Sequence, residues 1–347
     1  MSSNYLLSNG LKALVDDLTA LGLEKYRARQ VWDWIFKKNV FEYSKMTNLP
    51  LEVRTLLSEK FPEILPESKF KQKAEDGTVK LGLALHDGSV IETVAIPSPE
   101  SVTFCLSSQV GCTVSCGFCK TGKMGFKRNL SSEEIIIQVL CLIHETGSPP
   151  GNIVFMGMGE PFLNRKALFP AIDMLTEKTG MGLATRRITV STVGIPDGIY
   201  DLADRKGEVN LALSLHAADD YTRSSLIPIN EKFPLEVLRE SIVHYISVTN
   251  RRVTFEYTLL RGINDGLENV LNLINFCEGL LCHVNIVRFN SFPGCGYKPS
   301  EQAAEKEFKK ALKKAGIPVT IRASHGGDIL AACGQLGAEN ISERKNG

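Results

Sequence analysis

Three cysteines sit at a spacing that could hold a metal cluster. Cys112, Cys116 and Cys119 fall in the run GCTVSCGFCKTGKMGF, with three residues between the first two and two between the last two. Thiolates suit iron–sulfur clusters, and three of them can ligate three irons of a cubane. The fourth iron then has no protein ligand and can chelate a small molecule. A tetrahedral structural zinc would need a fourth ligand from elsewhere in the chain. Two more cysteines stand apart: Cys105, seven residues before Cys112, and Cys333, 214 residues after Cys119. The chain has nine cysteines in all, and the opening MSSNYLLSNGLKAL lacks the basic and apolar pattern of an export signal. A cytosolic location is therefore expected, where clustered thiols mean metal or catalysis rather than a disulfide framework. Cys141, Cys277, Cys282 and Cys295 match no pattern and are expected to be structural.

Positioning such a set requires a scaffold, and the chain supplies alternating strands and helices. Strand-like runs are Val102–Leu106, Ile153–Met156, Arg187–Ser191, Val209–Leu215, Val253–Leu260 and Val284–Phe289. Helical segments fall between them. One opens on Ser131 and Glu134 in capping-box spacing, another runs from about Leu235 to Val248, and the last covers about Ser300–Ala315. Six β/α units imply a parallel sheet with helical crossovers, too few for a complete eight-unit barrel. The expected fold is thus α/β, a partial (β/α)6 barrel. Ahead of it, Leu11, Leu14, Val15 and Leu18, then Val31, Trp34 and Ile35, recur at helical spacing. A helical accessory domain is expected over 1–73, a β-hairpin connection over 74–98 turning at His86–Asp87–Gly88, and the core over 99–340. Polar residues gather where strands end: Gly157, Gly159 and Glu160 after the second, Ser191 at the third, Ser214-Leu215-His216 at the fourth, and Asn290 after the sixth. β/α barrels build their sites at that end.

Composition is that of an ordinary globular protein, 43% hydrophobic and 23% charged, with no apolar run long enough to span a bilayer. A net charge of +1 gives no global attraction to polyanions. Residues 1–73 are locally basic, twelve Lys/Arg against nine Asp/Glu. Basic clusters at Lys69/Lys71/Lys73, Lys120/Lys123/Lys127/Arg128, Arg186/Arg187 and Arg251/Arg252 could each meet phosphate or simply face water.

The cysteine triplet after the first core strand resembles the radical-SAM superfamily. There the open iron binds S-adenosylmethionine by its amino and carboxylate groups, and reductive cleavage yields a 5′-deoxyadenosyl radical. Glu160 is expected to accept from that amino group. Gly159, Glu160, Ser191, Ser214, Leu215, His216 and Asn290 form the expected cofactor pocket. SSQVGC, MGMGEP, LSLHA, IPIN, FEYTLLRGIND, NSFPG and AACGQL together resemble the RlmN/Cfr family of 23S rRNA adenine methyltransferases. The match runs over nearly the whole chain and includes YRARQVWDWIFKK, similar to that family's accessory domain.

The resemblance implies a [4Fe-4S] cluster and two molecules of S-adenosylmethionine per turnover. The first methylates Cys333, which must be a thiolate. The radical from the second takes hydrogen from that methyl group, and the resulting carbon radical adds to an adenine ring carbon. Cys105 helps remove a proton and forms a disulfide with Cys333, releasing the base. Glu92 aligns with a family glutamate proposed as proton acceptor. The implied substrate is carbon 2 of an adenine in the peptidyl transferase centre of 23S rRNA, and of tRNA too. Implied partners are an electron donor such as flavodoxin or ferredoxin and a thiol reductant; no membrane partner is expected, and the chain is expected to be a monomer. Two alternatives stay open: a Cfr-type carbon-8 methyltransferase giving antibiotic resistance, and a non-catalytic zinc and RNA-binding module. The chain departs from the family at Ala323, Ser324 and His325, where the common pattern is Lys-Thr-Arg.

Overall fold

The computed structural model describes residues 6–7, 10–205 and 207–337. Residues 1–5 and 338–340, at the outer ends of the expected accessory and core regions, lie outside the described residues. Three helices come first, α1 (Gly10–Ala20), α2 (Lys25–Phe36) and α3 (Leu51–Lys60). Leu14, Leu18, Val31, Trp32, Ile35 and Leu57 bury their inner faces. The fully buried tryptophan is Trp32 rather than Trp34, and its Nε1 donates to Thr179 O at 2.9 Å. That bond ties the helices to the rest of the molecule, with which they share one continuous apolar core.

Strands β1 (Ser68–Lys73), β2 (Val79–Ala84) and β3 (Val90–Ser98) form an antiparallel meander. The hairpin expected around Asp87–Gly88 is present. Ser68–Lys73, expected within the helical region, is instead its third strand. β3 pairs antiparallel with β4 (Ser101–Cys105), which joins the meander to the main sheet. A two-stranded ribbon follows, β5 (Gln109–Gly111) with β6 (Phe126–Asn129), enclosing the short helix α4 (Lys120–Lys123).

The alternating part then runs α5 (Ser132–Thr146), β7 (Asn152–Phe155), α6 (Arg165–Thr176), β8 (Ile188–Thr192), α7 (Pro196–Asp204), β9 (Asn210–Ser214), α8 (Asp220–Leu226), α9 (Leu235–Thr249), β10 (Val253–Leu259), α10 (Leu267–Cys277), β11 (Cys282–Arg288), α11 (Gln302–Lys314) and β12 (Val319–Arg322). α5 opens with the expected capping box, Ser131 and Glu134 each bonding the other's backbone N–H. β4, β7, β8, β9, β10, β11 and β12 pair in parallel in that order. Among the described residues, the parallel part therefore has seven strands where six were expected. β12 is only four residues, VTIR, with Val319 alone buried, too short for alternation to register. The strand order starts at β1 and ends at β12, so the barrel is partial and open. Parallel pairing puts Cys105, Ser214, Arg288 and Arg322 at one end of the sheet. Among the described residues, no helix is long and apolar enough to cross a membrane.

Candidate active site

A cavity opens at the C-terminal ends of the parallel strands, and the three clustered cysteines line it together. Their loop is shaped by the β5–β6 ribbon. Cys112 N donates to Gly125 O at 3.0 Å. Gly111, at φ +77°, has no room for a side chain, since a Cβ would lie 1.8 Å from Gly125 O. The SSQ stretch before it is a buried polar knot. Ser107 Oγ donates to Glu92 O and accepts from Met158 N, while Gln109 Oε1 accepts from Glu160 N. The knot fixes the cysteine loop against the glycine-rich turn after β7. Gly157 and Gly159 fit there because a Cβ at either would sit within 2.7 Å of a neighbour.

Burial lifts the three thiol pKa values, that of Cys112 to about 12 with Glu160 adding to it, and that of Cys116 well above the ordinary value with the two neighbouring thiols adding to it. Thiolates packed like this need positive charge among them, which a metal cluster provides. Three thiols facing one cavity match the three protein-held irons of a cubane, so the donor set fits a cluster held by Cys112, Cys116 and Cys119.

The remaining cavity wall contains most of the expected cofactor residues. Gly159, Glu160, Ser191, Ser214, His216 and Asn290 all line it. Glu160 Oε1 and Oε2 accept from Phe162 N (3.0 Å) and Val193 N (2.9 Å), and burial raises its carboxyl pKa to about 7. The Ser191 and Ser214 hydroxyls are 3.3 Å apart. His216 takes an unusual φ of +55°. Its Nδ1 accepts from Thr258 N at 3.0 Å, which leaves the proton on Nε2. Burial, then Arg223, pushes its pKa down to about 3, so the ring is neutral. Leu215 differs: it is fully buried and absent from the cavity wall. Arg223 bonds Leu215 O, Val193 O and Asn230 Oδ1. That guanidinium explains the IPIN motif as a brace across two strand ends rather than a ligand site.

Cys333 lines the same cavity, beside Gly334 and Leu336. It also lines a smaller adjoining cavity whose wall includes Cys105, Asn290 and Arg322. Cys333 is exposed and Cys105 is buried at the end of β4. Burial first, then Cys333, raises the Cys105 pKa to about 12, with Arg322 acting against them. Cys141, Cys277, Cys282 and Cys295 are buried and line neither cavity. Glu92 lines neither cavity as well. It is 1% exposed, with Oε2 accepting from Gly337 N at 2.7 Å.

The expected cofactor pocket did not include the charged wall residues Arg322 and Glu256. Arg322 borders both cavities, and Glu256 lines the larger one with its Oε2 unpartnered and its Oε1 accepting from Asn285 at 3.1 Å. Glu256 alternates with Phe255 and Tyr257 and so reads as a surface position, and only its pairing with Ser214 across the sheet puts it at the site. Of the basic clusters, Lys71 pairs with Glu145, Lys69 with Glu67, and Arg128 with Asp87 and Glu134.

Comparison with known proteins adds independent findings. Residues 106–274 match the model of the radical SAM superfamily, and residues 6–62 match that of the ribosomal RNA large subunit methyltransferase N-terminal domain. A probable dual-specificity RNA methyltransferase RlmN of Fervidobacterium nodosum is 43% identical, covering 98% of this chain and 99% of its own length. Its counterpart in Thermosipho melanesiensis is 47% identical over 93% of this chain and 95% of its own. The crystal structure of a radical SAM methyltransferase from Sphaerobacter thermophilus superposes with a TM-score of 0.93 at 41% identity, covering 96% of this chain and 99% of that one.

Proposed function

This chain belongs to the RlmN family of radical SAM methyltransferases, and from that premise we propose that it methylates carbon 2 of an adenine in 23S rRNA, and in tRNA. The relatives' shared name, dual-specificity RNA methyltransferase, supports more than one RNA substrate. The observation that carries the chemistry is that Cys333 borders both cavities, one with the three clustered cysteines and one with Cys105. A thiol so situated can take a group in one chamber and deliver it beside the other. The SSQVGC and NSFPG runs favour carbon 2 over carbon 8.

In this reading Cys112, Cys116 and Cys119 hold a [4Fe-4S] cluster, and Glu160, Ser191, Ser214, His216 and Asn290 hold S-adenosylmethionine. Bound there, that pair of cofactors supplies the methyl group and the one-electron chemistry, with two molecules of S-adenosylmethionine used per turnover. Cys333 accepts the methyl group as a thiolate. Once its sulfur is joined through carbon to the adenine ring, the adduct must give up one electron, which the cluster would accept, and one proton, which Cys105 takes as a thiolate. The Cys105 sulfur then attacks Cys333 Sγ as its proton passes to the leaving carbon. The Cys333 S–C bond breaks with its electron pair going to that carbon, a disulfide forms, and the methylated base departs. A thiol reductant must restore both cysteines, and an external electron donor must serve the cluster.

The two thiols fail at different steps when replaced. Cys333→Ala should form no protein-bound methyl group and modify no RNA. Cys105→Ala keeps the acceptor but cannot close the disulfide, so RNA should remain covalently attached through Cys333. Denaturing gels after anaerobic turnover should show that adduct for Cys105→Ala and none for the double variant. Normal release of methylated RNA by Cys105→Ala would end this reading. Mass spectrometry of the modified adenosine separates carbon 2 from carbon 8.

A further inference from the structure

Lys80 and Glu92 are both 1% exposed, on neighbouring strands β2 and β3. Burying charge is costly unless each group is paired and hydrogen-bonded. Gly82 is the residue directly opposite Glu92, so Lys80 is its diagonal neighbour on the same face. Gly82 itself cannot carry a side chain, because a Cβ would fall 2.2 Å from the Phe70 ring. Lys80 Nζ stands 3.5 Å from Glu92 Oε1. Each member of the pair also reaches out of the sheet to backbone. Lys80 Nζ donates to Leu330 O at 3.1 Å, and Glu92 Oε2 accepts from Gly337 N at 2.7 Å.

Residues 330 and 337 bracket Cys333. Leu330 holds a left-handed conformation, φ +54°, that a leucine rarely adopts unaided. Gly337 is tightly hemmed, since a Cβ there would meet Lys120 Cγ at 2.8 Å. The ion pair thus sets the span between the two ends of the loop that carries Cys333. Further bonds seat the stretch between them: Lys120 N donates to Gly334 O at 2.8 Å, and Gln335 Nε2 to Ser291 O at 2.8 Å. Neither Lys80 nor Glu92 lines either cavity. Glu92 gives Oε2 to a backbone N–H, and its Oε1 faces Lys80 Nζ across 3.5 Å as an ion pair without a hydrogen bond.

We infer that Lys80 and Glu92 are positioning residues that clamp the 330–337 loop and thereby hold Cys333 where it serves both cavities. The inference rests on the reading of Cys105 and Cys333 as the working thiols. It assigns Glu92 the work of an anchor, not that of a proton acceptor.

The test uses the cluster-loaded enzyme without RNA or S-adenosylmethionine. Diamide oxidises Cys105 and Cys333 to their disulfide and is itself reduced to the hydrazine, and the rate is followed by mass spectrometry of the linked peptides. Glu92→Leu removes the anchor, and Glu92→Asp keeps the charge but shortens its reach. Both should slow disulfide formation roughly tenfold to a hundredfold, the range expected for misplacing a reacting group by about 1 Å. Glu92→Gln keeps an acceptor for Gly337 N–H but removes the charge opposite Lys80, so it should slow disulfide formation and methylation together, and less than Glu92→Leu does. Iron content reports whether each variant is folded. Unchanged disulfide rates in Glu92→Leu and Glu92→Asp, with methylation lost in Glu92→Gln, would overturn the inference in favour of a proton acceptor. If the wild type itself forms no Cys105–Cys333 disulfide, the reading of the two thiols fails first and the inference falls with it.

Discussion

A thiolate buried among other thiolates is unstable without a cation, and each of Cys112, Cys116 and Cys119 is in that position. Neither Cys141, Cys277, Cys282 nor Cys295 lines the cavity, so none is placed to substitute. Replacing any one of the three by alanine should therefore lower iron well below the roughly four per chain of a cubane and abolish methylation. Iron assay and RNA methylation after anaerobic reconstitution measure both, and a variant with full iron and full activity would refute the ligand set. At this scale the sequence was most informative where spacing alone carries meaning, as in the cysteine triplet. It was least informative where a polar residue faces inward from a strand. Glu256 follows Phe255 and precedes Tyr257 in an apolar run. Nothing local distinguishes it from a surface position. Leu215 erred the other way, since it stands between two wall residues but points into the core.

Elements meet at the turn of the β2–β3 hairpin. Arg128 on β6 reaches Asp87 with Nε (2.9 Å) and Nη2 (3.1 Å), and Glu134 at the start of α5 with Nη1 and Nη2, both at 2.8 Å. One guanidinium thus joins the hairpin, the ribbon and the helix. Its bonds to Asp87, helped by Ser89, hold that carboxyl well below the ordinary carboxylate range. A carboxyl with a lowered folded value adds stability that is full above its unfolded value near pH 4 and drains away as pH falls. Asp87→Asn should cost on the order of 1 kcal/mol at pH 7, since the pair is partly in water. The gap to wild type should narrow steadily as pH falls below about 4. Urea unfolding across that range measures it, and a gap independent of pH would count against the ion pair. In the β5–β6 ribbon, Gly111→Ala should force Gly125 away and loosen the cysteine loop. Reduced iron with an unchanged far-UV spectrum is the expected result, and full iron would show that the approach is not needed. The Asp-Gly turn was legible because it imposes a local conformation. β1 was not, since SKFKQK is exposed and half-exposed throughout and gains its strand geometry only from β2.

At the level of the whole molecule, α1–α3 are not a loosely tethered module. Trp32 is fully buried and bonded to Thr179, so removing the helices would open the core. Their contribution to RNA binding, which the local basic charge suggests, is better tested on the surface. Lys25, Arg29, Lys37 and Lys38 are all exposed. Changing the four to glutamine should weaken RNA binding and flatten its salt dependence, by roughly 0.7–0.9 in log–log slope for each phosphate no longer neutralised. S-adenosylmethionine cleavage without RNA should be unaffected. Unchanged affinity at low salt would remove the helices from the RNA interface. The helical beginning and the β/α alternation were both readable from periodicity. Their shared core was not, because it joins side chains that lie more than a hundred residues apart in the chain.

Cys333, Gly334 and Leu336 form one wall of the larger cavity, and this has a consequence for biosynthesis. The ribosome makes the three clustered cysteines first and Cys333 214 residues later. At roughly 5–20 residues per second, that interval is on the order of 10–40 s. Throughout it, the nascent chain carries its cluster ligands without the wall that Cys333, Gly334 and Leu336 supply. Iron delivered during translation would reach the three cysteines before that wall is made.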